Sequence, residues 1–198
     1  MSDVAIVANG GANIASLQFA LDRLGASAEL THDPVRLERA PRVILPGVGA
    51  AGDAMERLEA LGLRALIPTL RQPVLGICLG MQLLFESSDE GDTPCLGIIP
   101  ARIRRFPRRD GLPVPHMGWN RVCARVESPL LAGLEDDPWL YFVHSYAAPV
   151  GPWTVAATEY GEPFSAVVRH GNFHGAQFHP ERSSSAGSRL LANFLELA

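Results

Sequence analysis

The 198-residue sequence contains no lysine; all 17 basic residues are arginine. That excludes a lysine Schiff base, a lysine general base and a P-loop lysine together. Cysteine is scarce as well. Cys78, Cys95 and Cys123 are odd in number and widely spaced, so they form neither a disulfide framework nor a C-x-x-C zinc site, and no metal or cofactor is expected. No stretch approaches 18 apolar residues, and the opening MSDVAIVANGG has no basic n-region, so a soluble, cytoplasmic protein without membrane association is expected. A net charge of -4 with a pI near 5.8 leaves no electrostatic footprint for nucleic acid. The length suits one domain spanning residues 1–198, and no internal repeat or low-complexity linker divides it.

Against these absences stands Pro73 to Gln82, PVLGICLGMQ. Val74 and Leu75 read as the end of a buried strand, and Leu79 to Phe85 as a helix, which leaves Cys78 on the turn between them. Gly76-Ile77-Cys78-Leu79-Gly80 is a G-x-C-x-G pattern, the thiol counterpart of the nucleophile elbow, where small flanking residues let a strained strand-to-helix turn close. Unpaired N–H groups at the start of the helix favour thiolate over thiol. A small buried cysteine at a strand end is the plainer reading, but it leaves both glycines unexplained.

Elsewhere in the first half, strands are expected at Val4 to Ala8, Ser27 to Thr31 and Arg42 to Leu45. Helices follow from the spacing of Ile14, Leu17, Leu21 and Leu24, and over Asp53 to Ala60 and Arg64 to Leu70. Alternation of this kind implies an α/β fold: an open mixed, largely parallel sheet flanked by helices. The turn Asn9-Gly10-Gly11-Ala12-Asn13 lacks the spacing of a phosphate cradle. Glu86 to Pro94 reads as a polar loop. From Gly97 the chain becomes strand-rich, with candidates at Ile98 to Arg104, Val114 to Met117, Arg121 to Val126, Trp139 to Tyr146, Trp153 to Glu159, Phe164 to Val168 and Phe173 to Phe178. Leu190, Leu191, Phe194 and Leu195 mark a closing helix over Ser184 to Ala198. The one basic run, Arg102, Arg104, Arg105, Arg108 and Arg109, reads either as a solvated face or as a docking surface.

Two further stretches complement the cysteine. Pro46-Gly47-Val48-Gly49 follows a strand, and its backbone can approach closely enough to hold a tetrahedral oxyanion, although a plain connection is the simpler reading. Gln177-Phe178-His179-Pro180-Glu181 is extended at its start because Pro180 biases His179 away from helix. Residues two apart then share a face, so Glu181 can orient the His179 imidazole for proton transfer to and from a thiol nucleophile and its leaving amine. A metal set of His170, His174 and His179 is the rival, opposed by Gly171 and Gly175.

With Cys78 and His179-Pro180-Glu181 in hand, the sequence resembles the class I glutamine amidotransferases over essentially the whole chain. PGVG, CLGMQLLFE, PHMGWN at Pro115 to Asn120, FVHSY at Phe142 to Tyr146 and HPERSS at His179 to Ser184 carry the resemblance. The first turn departs from it. The resemblance implies a Cys78–His179–Glu181 triad hydrolysing the amide of glutamine, with Val48, Gly49 and Leu79 as oxyanion hole. It implies glutamine binding by Gly49, Gln82, Glu90, Ser145 and Tyr146. It also implies a heterodimer with a separate (β/α)8 cyclase subunit, which would use the ammonia on a phosphoribulosyl-formimino carboxamide nucleotide. Contacts to that cyclase are expected at His116, Trp119, Asn120 and Tyr141. Open alternatives are a glutaminase serving another acceptor enzyme, a non-catalytic docking subunit on the same fold, and a thiol protease.

Overall fold

The structure is a computed structural model that describes residues 2–10 and 14–198. Its first half alternates strands β1 (Val4–Val7), β2 (Ala28–Thr31), β3 (Val43–Gly47) and β4 (Val74–Cys78) with helices α1 (Ile14–Arg23), α2 (Pro34–Arg39), α3 (Ala51–Ala60), α4 (Leu63–Leu66) and α5 (Leu79–Gln82). The second half contributes β5 (Phe85–Ser88), β6 (Thr93–Pro94), β7 (Ile99–Arg105), β8 (His116–Arg121), β9 (Cys123–Ala124), β10 (Trp139–His144) and β11 (Tyr146–Ala147). It ends with β12 (Thr154–Tyr160), β13 (Glu162–His170), β14 (Phe173–Ala176) and α6 (Ser184–Glu196). The main sheet has eight strands in the order β2-β1-β3-β4-β14-β13-β12-β9. From β2 to β14 every pairing is parallel, and the last three strands join antiparallel. This is the mixed, largely parallel sheet the alternating pattern implies.

Alternation along the central strands builds a core on each face. Val4, Ile6, Ile44, Leu75 and Ile77 pack with Leu17 and Leu21 of α1 and Leu190, Leu191 and Phe194 of α6. Ala5, Val7, Val43, Leu45 and Val74 pack with Met55 and Leu58 of α3, Leu63 of α4 and Met81 of α5. Two small sheets flank these layers: β11-β7-β5-β6, and the antiparallel ribbon β8–β10.

Several expected elements differ in extent. The helix read over Leu79 to Phe85 is a single turn, because Phe85 leaves it to pair with Ile99 as the first residue of β5. Glu86 to Pro94 is a β5–β6 hairpin around a 3-10 turn at Glu90–Asp92, not an unstructured loop. The strand expected over Arg121 to Val126 shrinks to Cys123–Ala124, and the helix over Arg64 to Leu70 to Leu63–Leu66 followed by a 3-10 turn. Helix α2 adds to the expectation: Asp33 caps Val35 N at 2.9 Å and Pro34 occupies the first helical position. Gly11 to Asn13 of the first turn lie outside the described residues. The arginine run disperses: Arg102 pairs with Asp89 and Asp92 at 2.6 Å, and Arg109 with Glu162 at 3.8 Å.

Candidate active site

Cys78 closes β4 with φ 53° and ψ -112°, a left-handed conformation that a side chain adopts at a cost of about 1–3 kcal/mol. The neighbouring glycines make that turn possible. A Cβ on Gly76 would lie 2.7 Å from Gly80 O and Met81 Cα, and one on Gly47 would lie 2.6 Å from Gly80 N. The single turn of α5 is thereby pressed against β3 and β4, and Sγ emerges at the carboxyl end of the parallel strands, where open α/β sheets carry their sites.

A cavity of about 340 Å³ opens there, lined by Val48, Gly49, Cys78, Leu79, Gln82, Glu90, Pro115, Val143, His144, Ser145, Tyr146 and His179. The topology therefore brings to one pocket the sulfur, the imidazole, the three residues expected to hold an oxyanion and the five expected to bind glutamine. A larger cleft of about 790 Å³, lined by residues such as Val122, Leu131, Leu134 and Asp136, holds none of them.

His179 and Glu181 are buried at the start of the turn Pro180–Arg182, with Nδ1 2.9 Å from Glu181 Oε1. Because a carboxylate only accepts, Nδ1 carries the proton and Nε2 is left for the sulfur side. Burial by itself would lower the imidazole pKa. Hydrogen bonding and charge from Cys78 and Glu181 outweigh that and raise it to about 10. The second oxygen of Glu181 is buried with no hydrogen-bond partner among the described residues, so the imidazole is this carboxyl's compensating group.

Besides the imidazole, the sulfur has Val143 O at 3.8 Å and Gln177 Nε2 at 3.9 Å as polar neighbours. Gln177 is fully buried, and its Oε1 accepts from Gln82 Nε2 at 3.0 Å, while the same Gln82 nitrogen donates to Tyr146 O at 2.9 Å. Gln82 thus braces the pocket wall from behind. Glu90 Oε2 accepts from Ala51 N at 2.7 Å, capping α3 where it leaves the PGVG loop. Within that loop Gly49 has φ 92°, and Asn9 Nδ2 holds Pro46 O at 2.8 Å. Sequence reasoning missed Asn9, Gln177 and His144 as site-supporting residues; the signal for Asn9 and Gln177 was a polar side chain at the end of an apolar strand. By contrast, Cys95 is a packing residue, its thiol pushed up to about 11 by burial. Among the described residues no group of three or more His, Cys, Asp or Glu side chains could hold a metal ion.

Of the residues expected to meet a partner, Trp119 is 49% exposed, and Asn120 and Tyr141 are half-buried. His116 is a correction. It is only 4% exposed, because the strand alternation of β8 turns it inward, where it stacks on Tyr160 and Phe142 with centroids at 4.1 and 5.1 Å. Met117 and Trp139, at 63% and 57% exposure, extend the outer face of the ribbon beside Trp119.

A strained thiol at a strand-to-helix elbow, facing a carboxylate-oriented imidazole, is the arrangement of an amide-hydrolysing cysteine enzyme, and its relatives narrow that class. Residues 6–198 match the family described as Glutamine amidotransferase class-I, and the chain belongs to that family. It is 54% identical over 198 residues to the Imidazole glycerol phosphate synthase subunit HisH of Xanthomonas oryzae pv. oryzae strain MAFF 311018, covering 100% of this chain and 99% of that protein. The protein of the same description from Xylella fastidiosa strain Temecula1 is 52% identical over 197 residues, covering 100% and 98%. In fold, the chain is similar to a crystal structure of a glutamine amidotransferase with a TM-score of 0.75 at 22% identity, covering 98% of this chain and 97% of that one. No helix among the described residues is long and apolar enough to cross a membrane.

Proposed function

We propose that this chain is the glutaminase subunit of an imidazole glycerol phosphate synthase, acting in histidine biosynthesis. The observation that carries the reading is the convergence of Cys78 and His179 on one pocket of about 340 Å³, sized for an amino acid, with Glu181 2.9 Å from the imidazole behind it. Identity of 54% across the full chain to a HisH subunit supports the choice of acceptor system.

With its proton held on His179, Cys78 Sγ attacks the side-chain amide carbon of glutamine. The tetrahedral oxyanion is held by backbone N–H groups at Val48–Gly49 and Leu79. His179, oriented by Glu181, returns the proton to the nitrogen, ammonia leaves, and a glutamyl thioester remains. Water deprotonated by His179 then releases glutamate and frees the sulfur. Gly49, Glu90, Ser145 and Tyr146 surround the substrate, with Gln82 supporting the wall, and no cofactor takes part. One domain in the cytoplasm carries all of this.

The ammonia passes to a separate (β/α)8 cyclase, bound as a heterodimer on the outer face of β8–β10 through Trp119 and Tyr141 with Met117 and Trp139, and Asn120 lies on the ribbon's opposite face beside His116. Partner binding activates the subunit allosterically by turning the Val48–Gly49 peptide so that its N–H meets the oxyanion. Losing one such donor costs about 100 to 1000-fold in rate, which gives the switch its range. Gly49, with φ 92° and nothing within 4 Å of where a Cβ would sit, gives that peptide room to turn.

Glutamate release should be measured for the chain alone and with the cyclase subunit plus its nucleotide ligand, using Cys78→Ala as blank. Low activity alone and a large rise in the mixture are expected. Full activity unaffected by cyclase would retain a glutaminase and reject both the partner and the switch.

A further inference from the structure

One buried cluster is not used by this mechanism: His116 and His144, cross-strand neighbours on the inner face of the β8–β10 ribbon. The geometry points to both as positioning residues, a one-directional chain of two Nδ1–H imidazoles that ties Asn120 of the ribbon to the Tyr146 carbonyl in the pocket wall.

Each link sets the next. The Tyr146 carbonyl can only accept, so His144 Nδ1, at 2.7 Å, carries the proton. A neutral His144 then has a bare Nε2, which lies 3.3 Å from His116 Nδ1, and that atom must be the donor. His116 Nε2 is left as acceptor for Asn120 Nδ2 at 3.5 Å. The Asn120 amide is oriented independently, since its oxygen accepts from Arg121 N and its nitrogen donates to Glu159 O, both at 2.9 Å. Burial keeps the two rings neutral, lowering His116 to about 4 and His144 to about 3.

At its inner end the chain meets the catalytic machinery. The Tyr146 carbonyl takes two donors, His144 Nδ1 and Gln82 Nε2, which pin the Tyr146–Ala147 peptide. Gln82 continues through Gln177 to the Cys78 sulfur. The outer face of the same ribbon carries Trp119 and Met117, so a partner seated there would press on the strand that holds the far end of the chain.

The catalytic part of this inference rests on the proposed glutaminase reading; the proton placement does not. In 15N NMR of the full chain at neutral pH, His116 and His144 are both expected as Nδ1–H tautomers, the minor form of a free imidazole. An Nε2–H tautomer or a charged ring at either position would overturn the chain. In the complex with cyclase, His116→Phe keeps the ring between Phe142 and Tyr160 but removes both nitrogens; it is expected to raise the glutamine KM about fivefold to tenfold with kcat within about twofold. His116→Asn restores a donor near the Nδ1 position and is expected to recover most of that loss despite the lost stacking. The opposite ranking, with Phe near wild type and Asn worse, would mean that packing alone matters and would overturn the proposal. Wild-type protein with no glutamine hydrolysis would reject the glutaminase reading, while the tautomers would still decide the proton placement.

Discussion

Gly80 is seated so tightly beneath Leu45 that a Cβ on it would collide with the Leu45 carbonyl oxygen. The elbow that raises Cys78 and the strand that leads into the PGVG loop are therefore locked together at one backbone contact, and the pocket depends on that contact.

Two glycine substitutions separate space from conformation. Gly80→Ala must displace α5 or β3 backbone and is expected to lower unfolding stability by about 3 kcal/mol or more. Gly49→Ala has open space at its Cβ but a φ of 92°, so a loss of only about 1–2 kcal/mol is expected, with glutaminase activity reduced about tenfold or more. Urea titration and glutamate release check both; a Gly80→Ala protein as stable as wild type would refute the tight seating.

Removing the charge of Glu181 tests the imidazole's orientation. Glu181→Gln is close in shape, but it no longer stabilises an imidazolium at His179 and leaves the tautomer unspecified. A fall in kcat of about 100 to 10,000-fold is expected with glutamine KM little altered. Steady-state kinetics with unchanged circular dichroism would establish it, and a loss under tenfold would refute it.

Buried histidines make stability acid-sensitive. His116, His144 and His174 have pKa values lowered by burial to about 4, 3 and 4, so each binds more protons unfolded than folded between those values and about 6.5. Their contribution is full above about pH 6.5 and is lost as pH falls through the folded values, with a limiting slope of about 1.4 kcal/mol per pH unit for each group. His174 lies outside the site, its Nδ1 without a hydrogen-bond partner among the described residues. His174→Gln should therefore flatten the decline of unfolding free energy between pH 6.5 and 4.5; an unchanged slope would mean that His174 does not contribute.

The exposed face of the ribbon should matter for association and little for folding. Trp119→Ala, alone or with Met117→Asp, is expected to weaken cyclase binding by tenfold or more, an effect of about 1.4 kcal/mol or larger, while leaving the melting temperature within about 2 °C. Calorimetric titration against the cyclase, beside a thermal scan, distinguishes this from general destabilisation.

Much of this was legible in the chain itself. The alternation of apolar strands and amphipathic helices announced the parallel half of the sheet, since each strand must be buried on both faces. The G-x-C-x-G elbow and the H-P-E triplet carry local conformational signals, so Cys78, His179 and Glu181 could be chosen without knowing where they meet. Less could be read where burial overrides pattern. Leu83 to Phe85 reads as helix, yet Leu83 and Leu84 form a turn and Phe85 opens β5 because β7 pairs with it. His116 reads as surface within PHMGWN, yet strand alternation turns it inward.

What the sequence by itself determined was local: the strained turn at Cys78, the extended His179 before Pro180, and the absence of lysine, which closes whole chemistries. What only the tertiary structure decided was which distant polar groups share a hydrogen. Gln82 meets Gln177 across 95 positions, and His116 meets His144 across 28. Periodicity encodes which face of an element is buried. It does not encode the partner a buried donor finds, because that depends on strand order and register, which the packing of the whole chain selects.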